Sequence, residues 1–157
     1  MAGMRALGRV YDVVTGDAAG NTLKVSMKNC SGVGILAVSG DTESSTLTIK
    51  AAEAYGDTYY AAGVTTFPSV YYSRDTSVGT GAWTLASSGF STVASTGVVT
   101  CAGATATYSY YTDFLCSFLA DGYDYLEVVA SAGFQVTLIM YDLTVQRTPA
   151  NLVIPAA

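Results

Sequence analysis

Three carboxylates stand close together at Asp121, Asp124 and Glu127. Paired carboxylates are the machinery of glycoside hydrolysis, one protonating the leaving oxygen while the other attacks or activates water. The spacing argues against that use. Asp121-Gly122 reads as a turn, and Asp124 and Glu127 have opposite parity on the strand that follows, so they face different ways. Asp41 and Glu43 could hold calcium with backbone oxygens, but EF-hand spacing is absent and the segment reads as a solvated loop. Gly32-Val33-Gly34 opens like a dinucleotide fingerprint, yet no third glycine or helix follows.

The thiols are the remaining nucleophiles. Cys30, Cys101 and Cys116 are odd in number and form no CxxC. A metal thiolate or a catalytic cysteine needs partners, and no lysine or arginine lies near Cys101 or Cys116 in sequence to lower the thiol pKa. Each sits in an apolar or small-residue run, as in FLCSFL around Cys116, so the expectation is buried, reduced thiols acting as small hydrophobes.

Composition removes more. The chain has no histidine, which excludes imidazole bases, triads and most zinc chemistry. Its seven basic residues (Arg5, Arg9, Lys24, Lys28, Lys50, Arg74, Arg147) are scattered against twelve acids, for a net charge of −5. No clustered basic face for phosphates can be built from them, so no nucleic-acid partner is expected. The longest strictly apolar runs, such as Ile35 to Val38, fall far short of the roughly 20 residues of a membrane span. The opening MAGMRALGRVYDVVTGD carries two arginines and no apolar core, so we expect no secretory signal and synthesis in a cytoplasm. The chain is expected to be neither an enzyme nor a cofactor or metal binder.

The elements that must position these groups are strands. A length of 157 residues suggests one domain, long enough to fold without disulfide or metal. Leu23, Val25 and Met27 alternate with Lys24, Ser26 and Lys28, and Leu47 and Ile49 alternate with Thr46, Thr48 and Lys50. Further runs rich in Val, Tyr, Thr and Phe lie near 10–14, 33–38, 69–73, 82–86, 97–101, 105–111, 114–120, 123–130 and 134–146. Frequent Gly, Asp and Asn turns separate them, which predicts an all-β, single-domain antiparallel sandwich or barrel, jelly-roll-like. No window keeps a helical stripe; residues 51–62 hold at most one helical turn.

Three copies of apolar-Ala-Ser-x-Gly-apolar occur at 85–90, 93–98 and 129–134. Each reads as a hairpin in which glycine takes φ > 0. The apolar parity of the last strand switches after Met140, which calls for a bulge or a change of sheet near 140–142. Residues 1–9 read as an N-terminal arm, 10–146 as the β domain and 147–157 (RTPANLVIPAA) as an extended tail. Pro149 and Pro155 bar regular ladders there, while Leu152-Val153-Ile154 needs burial against its own core or a neighbour. The twelve tyrosines include the doublets 59–60, 71–72 and 110–111, each expected to put one ring in the core and one outside. Trp83, at a strand start, reads as core.

The segments WTLASSG (83–89), FLADGYDYLEVVASAG (118–133) and VTLIMYDLTVQRTPANLVIPAA (136–157), with the opening RALGRVYDVVTGDAAGNTLKV, resemble small virion proteins of tailed bacteriophages, the capsid decoration or minor capsid proteins. That resemblance implies a non-enzymatic oligomer, favoured as a trimer, on the outer capsid surface, bridging subunits of the major capsid protein. It implies arms as the contacts: Arg5 and Arg9 toward acidic capsid groups, and Arg147, Asn151, Leu152, Val153 and Ile154 anchoring to the capsid protein or a neighbouring copy. The alternatives are a carbohydrate- or receptor-binding module of a phage tail, using exposed tyrosines on a surface glycan, and a tail-tube or head-completion subunit. An exposed row of coplanar rings beside Asp or Asn would mark the glycan reading.

Overall fold

Alternation along the strands sets up two layers. The computed structural model describes residues 11–16, 21–39, 45–66, 72–75, 82, 84–85, 98–101, 108–131 and 133–143. These contain β1 (Tyr11–Thr15), β2 (Thr22–Ser26), β3 (Gly32–Ser39), β4 (Ser45–Ala52), β5 (Tyr72–Asp75), β6 (Thr84–Leu85), β7 (Val98–Cys101), β8 (Tyr108–Leu115), β9 (Tyr125–Ala130) and β10 (Phe134–Tyr141). All pairings are antiparallel, in a larger sheet β1-β10-β3-β8-β5-β6 and a smaller sheet β2-β9-β4-β7.

The order of pairing identifies the topology. β1 pairs with β10, β2 with β9, β3 with β8 and β4 with β7, a nested set. The chain is therefore one long two-armed ribbon, rolled so that successive rungs fall alternately into the larger and the smaller sheet. That is a jelly roll. The β5–β6 pair is inserted between β4 and β7 and extends the larger sheet beside β8. Of the two expected forms, sandwich or barrel, the structure is the sandwich.

The core lies between the layers. Val33, Ile35, Phe114, Phe134, Val136 and Leu138 of the larger sheet meet Leu23, Val25, Ile49, Leu126 and Val128 of the smaller one, all buried. Each such side chain contributes roughly 1.5–3 kcal/mol through lost apolar surface. Tyr110 stands edge-on to Phe134 at 5.6 Å between ring centroids, closing one end of this layer.

Four local expectations are refined. The runs 105–111 and 114–120 are not two strands: β8 continues unbroken through Tyr108–Leu115, then a 3-10 turn forms at Cys116–Phe118. The helical allowance within 51–62 resolves as a 3-10 turn at Ala61–Gly63. The Val129-to-Phe134 motif is not a hairpin. Gly133 does take φ 100, but β9 and β10 belong to different sheets, so the motif is a corner between layers. Ser131 fixes that corner, its Oγ accepting from Thr46 N at 2.8 Å and its own N–H donating to Thr46 O at 2.9 Å. The parity switch after Met140 occurs through Asp142, which adopts φ 52 and ends β10, returning Leu143 to the core. The motif copies at 85–90 and 93–98, Trp83, Asp41 and Glu43, the arm 1–9 and the tail 147–157 lie outside the described residues, apart from a few strand-end positions.

Candidate interaction surfaces

The sandwich has two outer faces, and outward parity decides what each displays. On the smaller sheet, Lys24, Glu127 and Lys50 are cross-strand partners over β2, β9 and β4. Alternating signs in one rung stabilise the pairing. Glu127 is only 8% exposed, and Lys24 Nζ lies 3.5 Å from its carboxylate. The loop after β4 folds back over this rung. Tyr60 exchanges both backbone hydrogen bonds with Ala51, at 2.8 and 2.9 Å, and so extends the sheet beside β4. This carries Tyr59 onto Lys24, whose ammonium sits 4.5 Å from the ring centroid. The Tyr59 hydroxyl donates to Tyr55 O at 3.1 Å. Burial, with Glu127 adding to it, pushes the Tyr59 phenol up to about 12. Beside this cluster, Lys28 and Asp124 pair at 3.0 Å, which holds the Lys28 ammonium above its ordinary value.

The outward face of the larger sheet mixes apolar residues with Thr15, Gln135, Thr137 and Asp113. Outward parity places Val13, Ile139, Leu36 and Leu115 there, and Val13 and Leu115 are exposed, at 47% and 39%. The glycines that opened like a nucleotide fingerprint have a packing role. Tyr141 lies across Gly32 and Tyr111 across Gly34, where a β-carbon would stand 2.8 Å from the Tyr111 hydroxyl. Glycine is the residue that lets a ring lie flat on a strand. Tyr111 donates to Asp113 Oδ1 at 2.7 Å, and burial with that bond raises its phenol strongly. Burial likewise pushes Tyr141 up to about 12, with Asp113 adding to it.

The carboxylates weighed for hydrolysis sit in a turn and in two ion pairs. Asp121 precedes Gly122, which takes φ 85 in the expected turn, while Asp124 and Glu127 are each engaged by a lysine. Among the described residues no group of three or more Cys, Asp or Glu is placed to hold a metal ion, and no helix is long and apolar enough to cross a membrane. Of the tyrosine doublets, Tyr59 and Tyr110 are buried, Tyr60 is exposed and Tyr111 is half-buried, while the side chains of 71–72 lie outside what is described. Tyr59, however, is buried over the outer face of the smaller sheet rather than in the core between sheets. Tyr55 and Tyr125 meet edge-on at 66°, so they make no coplanar row.

The thiols depart from expectation. Cys30 and Cys116 are only half-buried, and they face each other with 3.7 Å between sulfurs. Sequence reading missed this because 86 residues separate them and only the fold brings both to one end of the sandwich.

The candidate contact residues Arg5, Arg9, Arg147, Asn151, Leu152, Val153 and Ile154 all lie outside the described residues. The strand ends they continue from are described. Tyr11 and Tyr141 are register partners at one end of the β1–β10 pair, so β1 begins where β10 ends. No protein-family model and no curated protein matches this chain.

Proposed function

We propose that this chain is a non-enzymatic virion structural protein that decorates the outer capsid shell of a tailed bacteriophage. On this reading it works as an oligomer, a trimer, and bridges neighbouring major capsid subunits without nucleic acid or membrane. The observation that carries the proposal is the pairing of the first and last described strands in a stiff jelly roll, where the start of β1 and the end of β10 meet at the Tyr11–Tyr141 pair. A bridging protein needs a rigid body and segments that reach a neighbour, and arms that order on binding cover much surface for little mass. Arg5 and Arg9 pair with acidic capsid groups, while Arg147 and residues 151–154 anchor to capsid protein or to the next copy. The exposed apolar residues Val13 and Leu115 supply a second contact area, and multiple weak contacts on one oligomer combine through effective concentration.

Jelly rolls serve viral shell domains and lectins alike, so the fold by itself does not choose between them. The edge-on geometry of Tyr55 and Tyr125 favours the shell reading over a stacking platform for sugars.

The test is the copy number of this chain against the major shell protein in gradient-purified particles, by quantitative mass spectrometry. A ratio of one to one, or one to a few, is expected. A handful of copies per particle moves the chain to the tail or portal, and absence ends the virion reading. Deleting 148–157 is expected to abolish particle binding while the β fold persists. Val13→Asp with Leu115→Asp should weaken binding by at least about tenfold, the cost of placing charge in an apolar contact.

A further inference from the structure

The feature the proposed function leaves unused is the pair Cys30 and Cys116. Each belongs to a connection that carries the chain between layers at the same end of the sandwich. Cys30 lies between β2 and β3, and Cys116 begins the turn between β8 and β9. Backbone hydrogen bonds hold the two connections together: Cys116 N donates to Ser31 O at 3.1 Å, and Met27 N donates to Asp124 O at 2.8 Å. The sulfurs are 3.7 Å apart, and both cysteines retain some exposure. A disulfide needs about 2.05 Å, a closure that side-chain rotation can supply when the backbones are already adjacent. Cys116 Sγ donates to Cys30 O at 2.8 Å, and its contact with the Cys30 thiol draws the Cys116 thiol below its ordinary value against the opposing effect of burial. That favours the thiolate, the nucleophile of exchange. The third sulfur nearby, Met27 Sδ at 4.0 Å from Cys30 Sγ, belongs to a residue only 4% exposed. A disulfide therefore suits the site better than a bound soft metal, which needs access to all its ligands.

We infer that Cys30 and Cys116 are a built dithiol site that closes reversibly to an intramolecular disulfide by exchange with a small disulfide of the oxidised-glutathione class. The Cys116 thiolate attacks one glutathione sulfur, breaking that S–S bond and releasing one glutathione thiolate. The Cys30 thiolate then attacks Cys116 Sγ and expels the second. Two protein thiols are oxidised to one disulfide, one oxidised glutathione is reduced to two glutathiones, and the two thiol protons pass to those leaving groups. The product staples two inter-sheet crossings beside the corner where β1 and β10 end, through Ser31, which donates to Tyr141 O at 3.1 Å. This inference does not depend on the virion reading.

The test is disulfide mapping of the full chain after equilibration in glutathione redox buffers, by alkylation and mass spectrometry of unreduced peptides, folded and in denaturant. In an unfolded chain, loop closure favours the 101–116 link over 30–116 by about 14-fold, since the cysteines are 15 residues apart rather than 86. In the folded chain the 30–116 link is expected to exceed 101–116 by at least about tenfold, to reopen with excess reduced glutathione, and to raise the denaturation midpoint. Cys30→Ser should accumulate glutathione on Cys116 instead. A folded chain that stays reduced at every ratio, keeps glutathione on either cysteine without closing, or forms 101–116 preferentially overturns the inference. Equal midpoints for the oxidised and reduced chains overturn the stapling role.

Discussion

The two outer faces of the sandwich are built from the same alternation yet carry different chemistry. The smaller sheet turns a Lys24–Glu127–Lys50 rung outward and then covers it with its own loop, laying Tyr59 on Lys24. The larger sheet turns Val13, Leu36, Ile139 and Leu115 outward and sinks Tyr141 and Tyr111 onto glycines. The first face is satisfied from within: its one deeply buried carboxylate has a cation, and its cation has a ring. The second keeps apolar groups in water, and an exposed apolar surface is what a contact with another molecule uses. A single fold can thus dedicate one face to its own stability and leave the other for association.

The comparison makes the larger sheet the more sensitive to side-chain volume. Gly32→Val drives a side chain into the Tyr141 hydroxyl and to within about 2.8 Å of the Phe114 carbonyl oxygen, which is backbone and cannot move aside. We expect a loss of about 3 kcal/mol, read as a lower denaturant midpoint. On the smaller sheet, Glu127→Ala removes the partner of Lys24 beneath the tyrosine cover, and about 2 kcal/mol is expected in the same assay. If Glu127→Ala costs more than Gly32→Val, the charged rung and not the glycine seat is the stricter constraint.

Alkaline pH probes both faces at once. Tyr59 and Tyr141 each have a folded value of about 12 against an ordinary 10, so the folded state holds their protons more tightly than the unfolded chain does. Their contribution is complete below pH 10 and is lost as pH rises through about 12, so stability should fall with pH across that window. Tyr59→Phe and Tyr141→Phe should each flatten the fall, one face at a time. A slope unchanged in both variants would assign the loss to other groups. The smallest effect is expected for Lys28→Ala, whose ion pair with Asp124 stands in solvent and whose removal should leave the midpoint where it is.

Much of the architecture is legible in residue order. Leu23 and Val25 against Lys24 and Ser26 declare a strand with one wet face, and Asp121-Gly122 declares a turn, because both signals depend on neighbours within a few residues. The parity argument on the carboxylates did not carry over: Asp124 precedes β9, and it and Glu127 pair with Lys28 and Lys24 side by side. Where sequence reading failed, the missing information was long-range. The Ala-Ser-x-Gly motif specifies a glycine with positive φ, but whether the next strand joins the same sheet depends on Ser131 meeting Thr46, 85 residues earlier.

The sequence by itself determined an all-β chain without histidine and with a parity switch after Met140. It could do so because strand alternation, turn chemistry and composition are local properties. Only the tertiary structure decided that Gly32 and Gly34 are seats for tyrosine rings, that Tyr59 roofs a lysine, that β1 begins where β10 ends, and that two distant thiols face each other. Each of these depends on the register of the rolled ribbon, which is fixed by the summed burial of both sheets and by no single segment.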